Sequence, residues 1–483
     1  MMDMEDGTLG YPKRVQDTLE LHRQHQKYGP ALDASSLTSC WIKMGRASGA
    51  DRTWLKANGG ARLRHLREHT RDLLPTFEPR ELSCTANALA RLEITFPPAW
   101  GRFWEELERA TLTRLHDFEP QSLANTAWAF AMAGRANPAL FDAIAQEAAW
   151  RVRDSNPKDF AHIAWAFAKA GHAAPALFDA IAAEAAPRVH DFGAQNLVDT
   201  VWAFSTAGHA APELFGLMAA EVVRRVRDLK PPYLASTAWA FAKAGPLAPG
   251  LGMPASPFDA IAKQAIRIMR YFSPSELAST ARAFATAGRA APALFDAIAA
   301  EVLRRRMYDF KPQELAITVW AFAKAGHAAP RLFVVVRKDA VRRITEFKPQ
   351  SLASTAWAFA AAGHAAPALF DAIAAETERY VRAMRVAELA DLAWAFAAAD
   401  LLPTSLFDQR FASRCEKVAD KFDADMLRQL HQWRLWYVGE RGCSNALPGA
   451  ALLARCAAAF RVREDRPTRL QRQVRYICIH TYI

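Results

Sequence analysis

The stretch Pro-Gln-Ser-Leu-Ala-Asn-Thr-Ala-Trp-Ala-Phe-Ala-Met-Ala-Gly, residues 120–134, decides the fold. Its Pro suits the first turn of a helix, where a missing N–H loses no partner, and its Gly suits the left-handed residue that ends one. The phrase is written again and again. Trp-Ala-Phe recurs with its Trp at 128, 165, 202, 239, 320, 357 and 394, and one further copy carries Arg282 in the Trp place. Successive intervals are 37, 37, 37, 43, 38, 37 and 37, the long one explained by an insertion at 245–256. Self-similarity at such a period marks a stack of supersecondary units.

Each unit reads as two helices. The first begins near Pro120, Pro157, Pro231, Pro274, Pro312 or Pro349 and stops at Gly134, Gly171, Gly208, Gly245, Gly288, Gly326 or Gly363. A second Pro (138, 175, 212, 292, 330, 367) opens the second helix, whose Leu-Phe-x-x-Ile-Ala pattern, as in Leu177, Phe178, Ile181 and Ala182, is an amphipathic stripe. No run alternates as a strand would. The expected fold is therefore all-α, a right-handed α-solenoid of helix-pair repeats of about 37–38 residues. It spans residues 30–440, with clear copies over about 118–400, between an N-terminal segment (1–29) and a basic tail (441–483). Degenerate copies place Trp41 and Asn87 upstream, and Trp433 downstream, in the Trp position.

Composition agrees. Apolar residues make up 51% of 483, enough for a continuous core, and Ala-rich stretches are all interrupted before a membrane span could form. Six scattered cysteines (40, 84, 415, 443, 456, 478) fit a reducing compartment rather than a disulfide scaffold. The N-terminus lacks the features of a signal or transit peptide. A formal charge of +11 favours an anionic partner.

At about 100° per residue, positions −5, −2, −1 and +2 from the Trp share one side of the first helix, so Leu123, Thr126, Ala127 and Phe130 are core candidates. Positions −7, −3, 0 and +4 share the other side. There the repeats differ: position −3 reads Asn125, His162, Asp199, Ser236, Ser279, Ile317, Ser354 and Asp391, while +4 includes Lys169, Lys243 and Lys324. Different donor and acceptor sets, one per repeat, are how helical repeats read single-stranded RNA bases. Free drift of exposed positions is the plainer explanation of any one of them. Bases stack about 3.4 Å apart while packed helices sit about 8–10 Å apart, so one base per repeat requires a splayed strand, which a duplex cannot supply.

The aromatic series Trp128, Trp165, Trp202, Trp239, Trp320, Trp357 and Trp394, with Arg282, has two readings: packing between adjacent first helices, or a stacking platform for bases. Second helices end in basic runs that include Arg225, Arg305 and Arg343. These either complement the helix dipole or form a phosphate ladder, a task for which Lys169, Lys243 and Lys324 are better placed. His172, His209, His327 and His364 sit one per repeat in Gly-His-Ala-Ala-Pro turns without further ligands, so no metal site is expected. Asp142, Asp179, Asp296 and Asp371 suit a solvated face or ion pairs better than catalysis. No phosphate loop or nucleophile elbow is present, and neither an enzyme nor a cofactor is expected.

The unit Pro-x-x-Leu-Ala-x-Thr-Ala-Trp-Ala-Phe-Ala-x-Ala-Gly resembles the octotricopeptide repeat, and the chain over about residues 30–440 is similar to algal organelle proteins that pair such repeats with a C-terminal RAP domain, relatives of the FAST-kinase-like proteins. Residues 467–474, Pro-Thr-Arg-Leu-Gln-Arg-Gln-Val, resemble the helix leading into that domain, but residues 475–483 depart from it, so a truncated RAP domain is expected. The resemblance implies sequence-specific binding of single-stranded RNA in a mitochondrion or chloroplast, in support of transcript processing, stability or translation. Its implied partners are RNA and other organelle RNA-processing or ribosomal proteins, with no membrane. A protein-binding scaffold is the rival reading.

Overall fold

A computed structural model describes residues 32–46, 63–92, 98–245, 256–364, 366–403, 406–443 and 447–461. The expected lead-in at 467–474, the N-terminal segment up to residue 29 and the insertion at 246–255 lie outside them. Among the described residues there are 22 α-helices and no strand. They form two compact units, one built from residues 1–228 with 243–256, the other from 229–242 with 257–483. Within each, successive helix pairs stack as a solenoid, first helix against first helix. In the N-terminal unit these are Ala34–Gly45, Pro79–Leu92, Pro120–Met132, Pro157–Ala170 and Ala194–Ala207. In the C-terminal unit they include Pro274–Thr286, Pro312–Ala325, Pro349–Ala361, Val386–Ala398 and Ala424–Leu435.

The local signals work as chemistry requires. Prolines open the first turns, and Asn156 and Ser273 close capping boxes with Asp159 and Glu276. Leu123, Thr126, Ala127 and Phe130 are all fully buried. At the other end Gly134, Gly171, Gly208, Gly288, Gly326 and Gly363 have φ between 62° and 71°. The next N–H then reaches back to the Phe carbonyl of the repeated phrase, as from His172 to Phe167 at 3.2 Å and from His327 to Phe322 at 3.0 Å, a Schellman closure. Gly245 does not take the left-handed form, since its helix leads into the insertion rather than a tight turn. In the last clear unit Asp400 occupies the glycine position at φ 54°, and its carboxylate accepts from Trp436 Nε1 at 2.8 Å.

Two expectations are corrected. Trp41 and Trp433 are fully buried and do not occupy the Trp place. Trp41 packs against Trp100 and Phe103, and Trp433 against Phe407, Phe411 and Tyr437. The residues facing the Trp side are their neighbours, Ile42 and Gln432. The region after 440 is not simply a tail: Ala450–Arg461 is a helix packed on Ala424–Leu435, burying Leu452 and Cys456 and setting Phe460 against His431.

Candidate nucleic-acid interface

The basic second-helix ends have a structural task. Glu221, Glu301 and Asp339 are buried, and each carboxylate accepts from the arginines three and four residues on: Arg224 and Arg225, Arg304 and Arg305, Arg342 and Arg343. These guanidinium groups hold the Glu221 and Glu301 carboxyls below the usual carboxylate range. Arg225, Arg305 and Arg343 also donate to turn carbonyls of the preceding repeat, Phe192, Arg270 and Phe310 respectively. Arg114 and Arg414 do the same at Phe77 and Met384. A turn carbonyl left without a helix partner gains a charged donor, and an acid beneath Arg225, Arg305 and Arg343 keeps each in place. With side chains only 26%, 14% and 14% exposed, Arg225, Arg305 and Arg343 are committed to clasping repeats together, and the phosphate ladder expected of them is not what the geometry provides.

The histidine turns form a second clasp. His172, His209 and His327 bond Asp142, Asp179 and Asp296 of the preceding second helix at 2.8–2.9 Å, with each ring against two phenylalanines. His364 has Val334 where that aspartate would be, lies against Phe333 with ring centroids 4.3 Å apart, and is pushed down in pKa by burial. Among the described residues no group of three or more His, Cys, Asp or Glu gathers at metal-binding distance.

The variable stripe is where the first helices meet solvent. Lys169, Lys243 and Lys324 are exposed. At position −3, Ser236 is exposed, while Asn125, His162, Asp199, Ser279, Ile317, Ser354 and Asp391 are partly buried. Asp199 accepts from Gln195 at 2.7 and 2.8 Å, and burial raises its pKa. Burial lowers that of His162, with Lys158 and Arg91 adding to the effect.

Several of the Trp positions pack ring against ring. Trp165 and Trp202 have ring centroids 5.8 Å apart and planes at 28°. In the other unit Trp357 lies between Trp320 at 6.2 Å and Trp394 at 5.8 Å. Arg282 fills its rung by laying its guanidinium over Trp239 at 4.2 Å. Burial lowers its pKa, and its Nε has no partner. Rings this close leave no room for an inserted base, which needs about 3.4 Å on each side. The closed rungs are therefore packing, and Arg282 is a rung of the same kind. Trp128 differs: its neighbour on the N-terminal side is Asn87, too short to stack, and Arg91 lies over its ring at 5.5 Å.

Sequence reasoning did not single out the groove this opens. It has a volume of about 480 Å³, with Arg46, Asn87, Arg91, Asn125, Trp128 and Lys158 among its lining. The signal was present in Asn87 at a Trp position, though not its consequence for the ladder.

Fold and face together define a helical-pair repeat protein of the solenoid class. Within that class the chain belongs to the family of RNA-editing substrate-binding complex 6 proteins, which it matches over residues 101–327 and again over 257–432. Overlapping matches are what a repeat array permits, since one pattern fits it in more than one register. No curated protein matches the chain in sequence. Among structures, a homology model of the full-length AP-3 complex in an intermediate open conformation aligns over 96% of this chain and 90% of its own, at 9% identity and a TM-score of 0.34, too low to carry an argument. Among the described residues no helix is long and apolar enough to cross a membrane.

Proposed function

We propose that this protein is a non-enzymatic RNA-binding component of an organelle RNA-processing assembly, in a mitochondrion or chloroplast, and that it holds single-stranded RNA along the first-helix stripe of each unit. The observation that carries the reading is the division of labour on the first helix. Positions −5, −2, −1 and +2 are spent on the core, whereas −3 and +4 face outward, vary in hydrogen-bonding type and include three exposed lysines. The family's description, an RNA-editing substrate-binding complex protein, supports the same partner class and adds protein partners. In this reading Lys169, Lys243 and Lys324 attract phosphates, and residues such as Asn125, Asp199 and Ser354 meet base edges. The octotricopeptide resemblance adds sequence selectivity and a role in transcript processing, stability or translation.

Titration of the full chain with a labelled single strand and with the matching duplex, across a salt series, tests it. Three lysine contacts at about 0.7 each give a log–log slope of roughly −2 or steeper for the single strand. Weaker binding to duplex is expected. Absence of single-strand binding at low salt overturns the reading, and leaves a protein-binding scaffold in its place.

A further inference from the structure

The aromatic series of the N-terminal unit gives way to smaller side chains before Trp128. Trp165 and Trp202 are close enough to exclude anything between them. One step before Trp128, however, the rung is Asn87, and before that Ile42. An asparagine leaves vacant the volume an indole would fill. The helices beneath cannot close over it by approaching further, because they already touch: a Cβ on Gly45 would lie 2.9 Å from Ala88 Cα. The result is the groove of about 480 Å³, within the range of small-ligand sites.

Its lining includes an aromatic ring, amides and cations, and no carboxylate. Trp128 offers a ring face over which the exposed guanidinium of Arg91 lies, its Nε donating to Asn87 Oδ1 at 2.7 Å. Asn87 and Asn125 offer amides, which donate and accept at once. Arg46, Arg91 and Lys158 are exposed cations at the rim. Arg91 and Lys158 are both close enough to His162 to depress its pKa, so the groove is electropositive as a whole.

We propose that this groove is a subsite for one unstacked nucleotide of a single-stranded RNA, its base in the vacated rung against Trp128, its polar edge on Asn87 and Asn125, and its phosphates on Arg46, Arg91 and Lys158. Arg91 is the placeholder: it occupies the ring face in the free protein and swings to phosphate when a base replaces it. The inference rests on the single-stranded RNA reading and sharpens it, because it assigns base stacking to a named ring, Trp128, beside a rung that holds no indole.

The test is Asn87→Trp in the full chain, which puts an indole in the vacant rung and fills the subsite without altering a charge. Binding of a short labelled single strand is expected to weaken about tenfold, the worth of one base–aromatic stack, with the salt slope unchanged. A strand carrying 4-thiouridine is expected to crosslink to the peptide containing Trp128 in the parent protein and not in the variant. Should Asn87→Trp lose helical circular dichroism, Trp128→Leu supplies the same arm, with the same weakening expected. If the parent protein binds single strands and the folded variant binds them within about twofold as well, the subsite is wrong and the general reading stands. If the parent protein binds no single strand, both fall together.

Discussion

The first-helix grooves of the two units are built from one template and differ in their charged lining. In the N-terminal unit the open groove is lined by Arg46, Arg91 and Lys158 with no acid. In the C-terminal unit a groove of about 920 Å³ runs past Trp357 and Trp394 to Asp391, Asp423 and Asp425, with Arg428 and Lys324 as cations. Asp425 pairs with Arg428, and Asp423 caps its helix at the N–H of Met426. The difference teaches that the repeat makes a scaffold and leaves the partner to be chosen by a few outward residues. The largest effect expected follows directly. Replacing Arg46, Arg91 and Lys158 together by Gln removes three phosphate contacts, about two decades of affinity at roughly 0.1 M salt. Replacing Asp391, Asp423 and Asp425 together by Asn should change single-strand affinity only a few-fold, and upward. Equal effects of the two triples in a binding titration would erase the contrast.

Acidity sharpens the comparison further, because each face holds a titrating group and the two respond in opposite directions. Burial raises the Asp391 carboxyl from 3.8 to about 6, opposed by its bond from Gln429 and reinforced by Glu388 and Asp423. The folded form thus keeps a proton that the unfolded chain releases. Its destabilising effect is absent below about pH 4 and complete above about pH 6, on the order of 3 kcal/mol at about 1.4 per unit. Asp391→Asn keeps the acceptor for Gln429 and should recover most of that at pH 7.5 and almost none at pH 4, read by urea unfolding at both. His162 has the reverse sign. Its folded pKa is depressed, so the stability tied to its neutral ring is present above its ordinary value of 6.5 and lost as pH falls through and below it.

The regular part of the fold was legible because three independent signals coincide in every clear unit: a proline at the start, a glycine at the end, and Leu, Thr, Ala and Phe spaced on one side. Where only one signal survives, register is lost. Trp41 and Trp433 resemble the repeated Trp in type, yet a shift of one residue turns a side chain by about 100°, enough to carry it from the outer stripe into the core. The packing against Trp100 and Phe103, or Phe407 and Tyr437, distinguishes the two, as does the Leu five residues before Ile42 and Gln432. The arginine ends were misleading for a related reason. A cation at a helix terminus looks the same whether it faces water or a carbonyl of the preceding repeat, and the buried Glu301 or Asp339 that decides between them is unremarkable in sequence. The stripe itself could be located from spacing. The groove could not, since it exists through what Asn87 fails to fill.

The finest test of the comparison sets a second broken rung against the first. Gln432 follows Trp394 in the C-terminal unit as Asn87 precedes Trp128 in the N-terminal one, and its groove is likewise open. If a vacant rung were sufficient to hold a base, Gln432→Trp would weaken RNA binding as Asn87→Trp does. If charge must accompany the vacancy, Gln432→Trp leaves single-strand affinity unchanged within about twofold, because Asp391 and Asp423 already disfavour a phosphate there. Its own effect is then on folding alone, about 0.5–1 kcal/mol gained from a new ring pair with Trp394, read in the same urea titration. A matched loss of affinity in both variants would show that ladder gaps, rather than the charges around them, choose where a nucleotide sits.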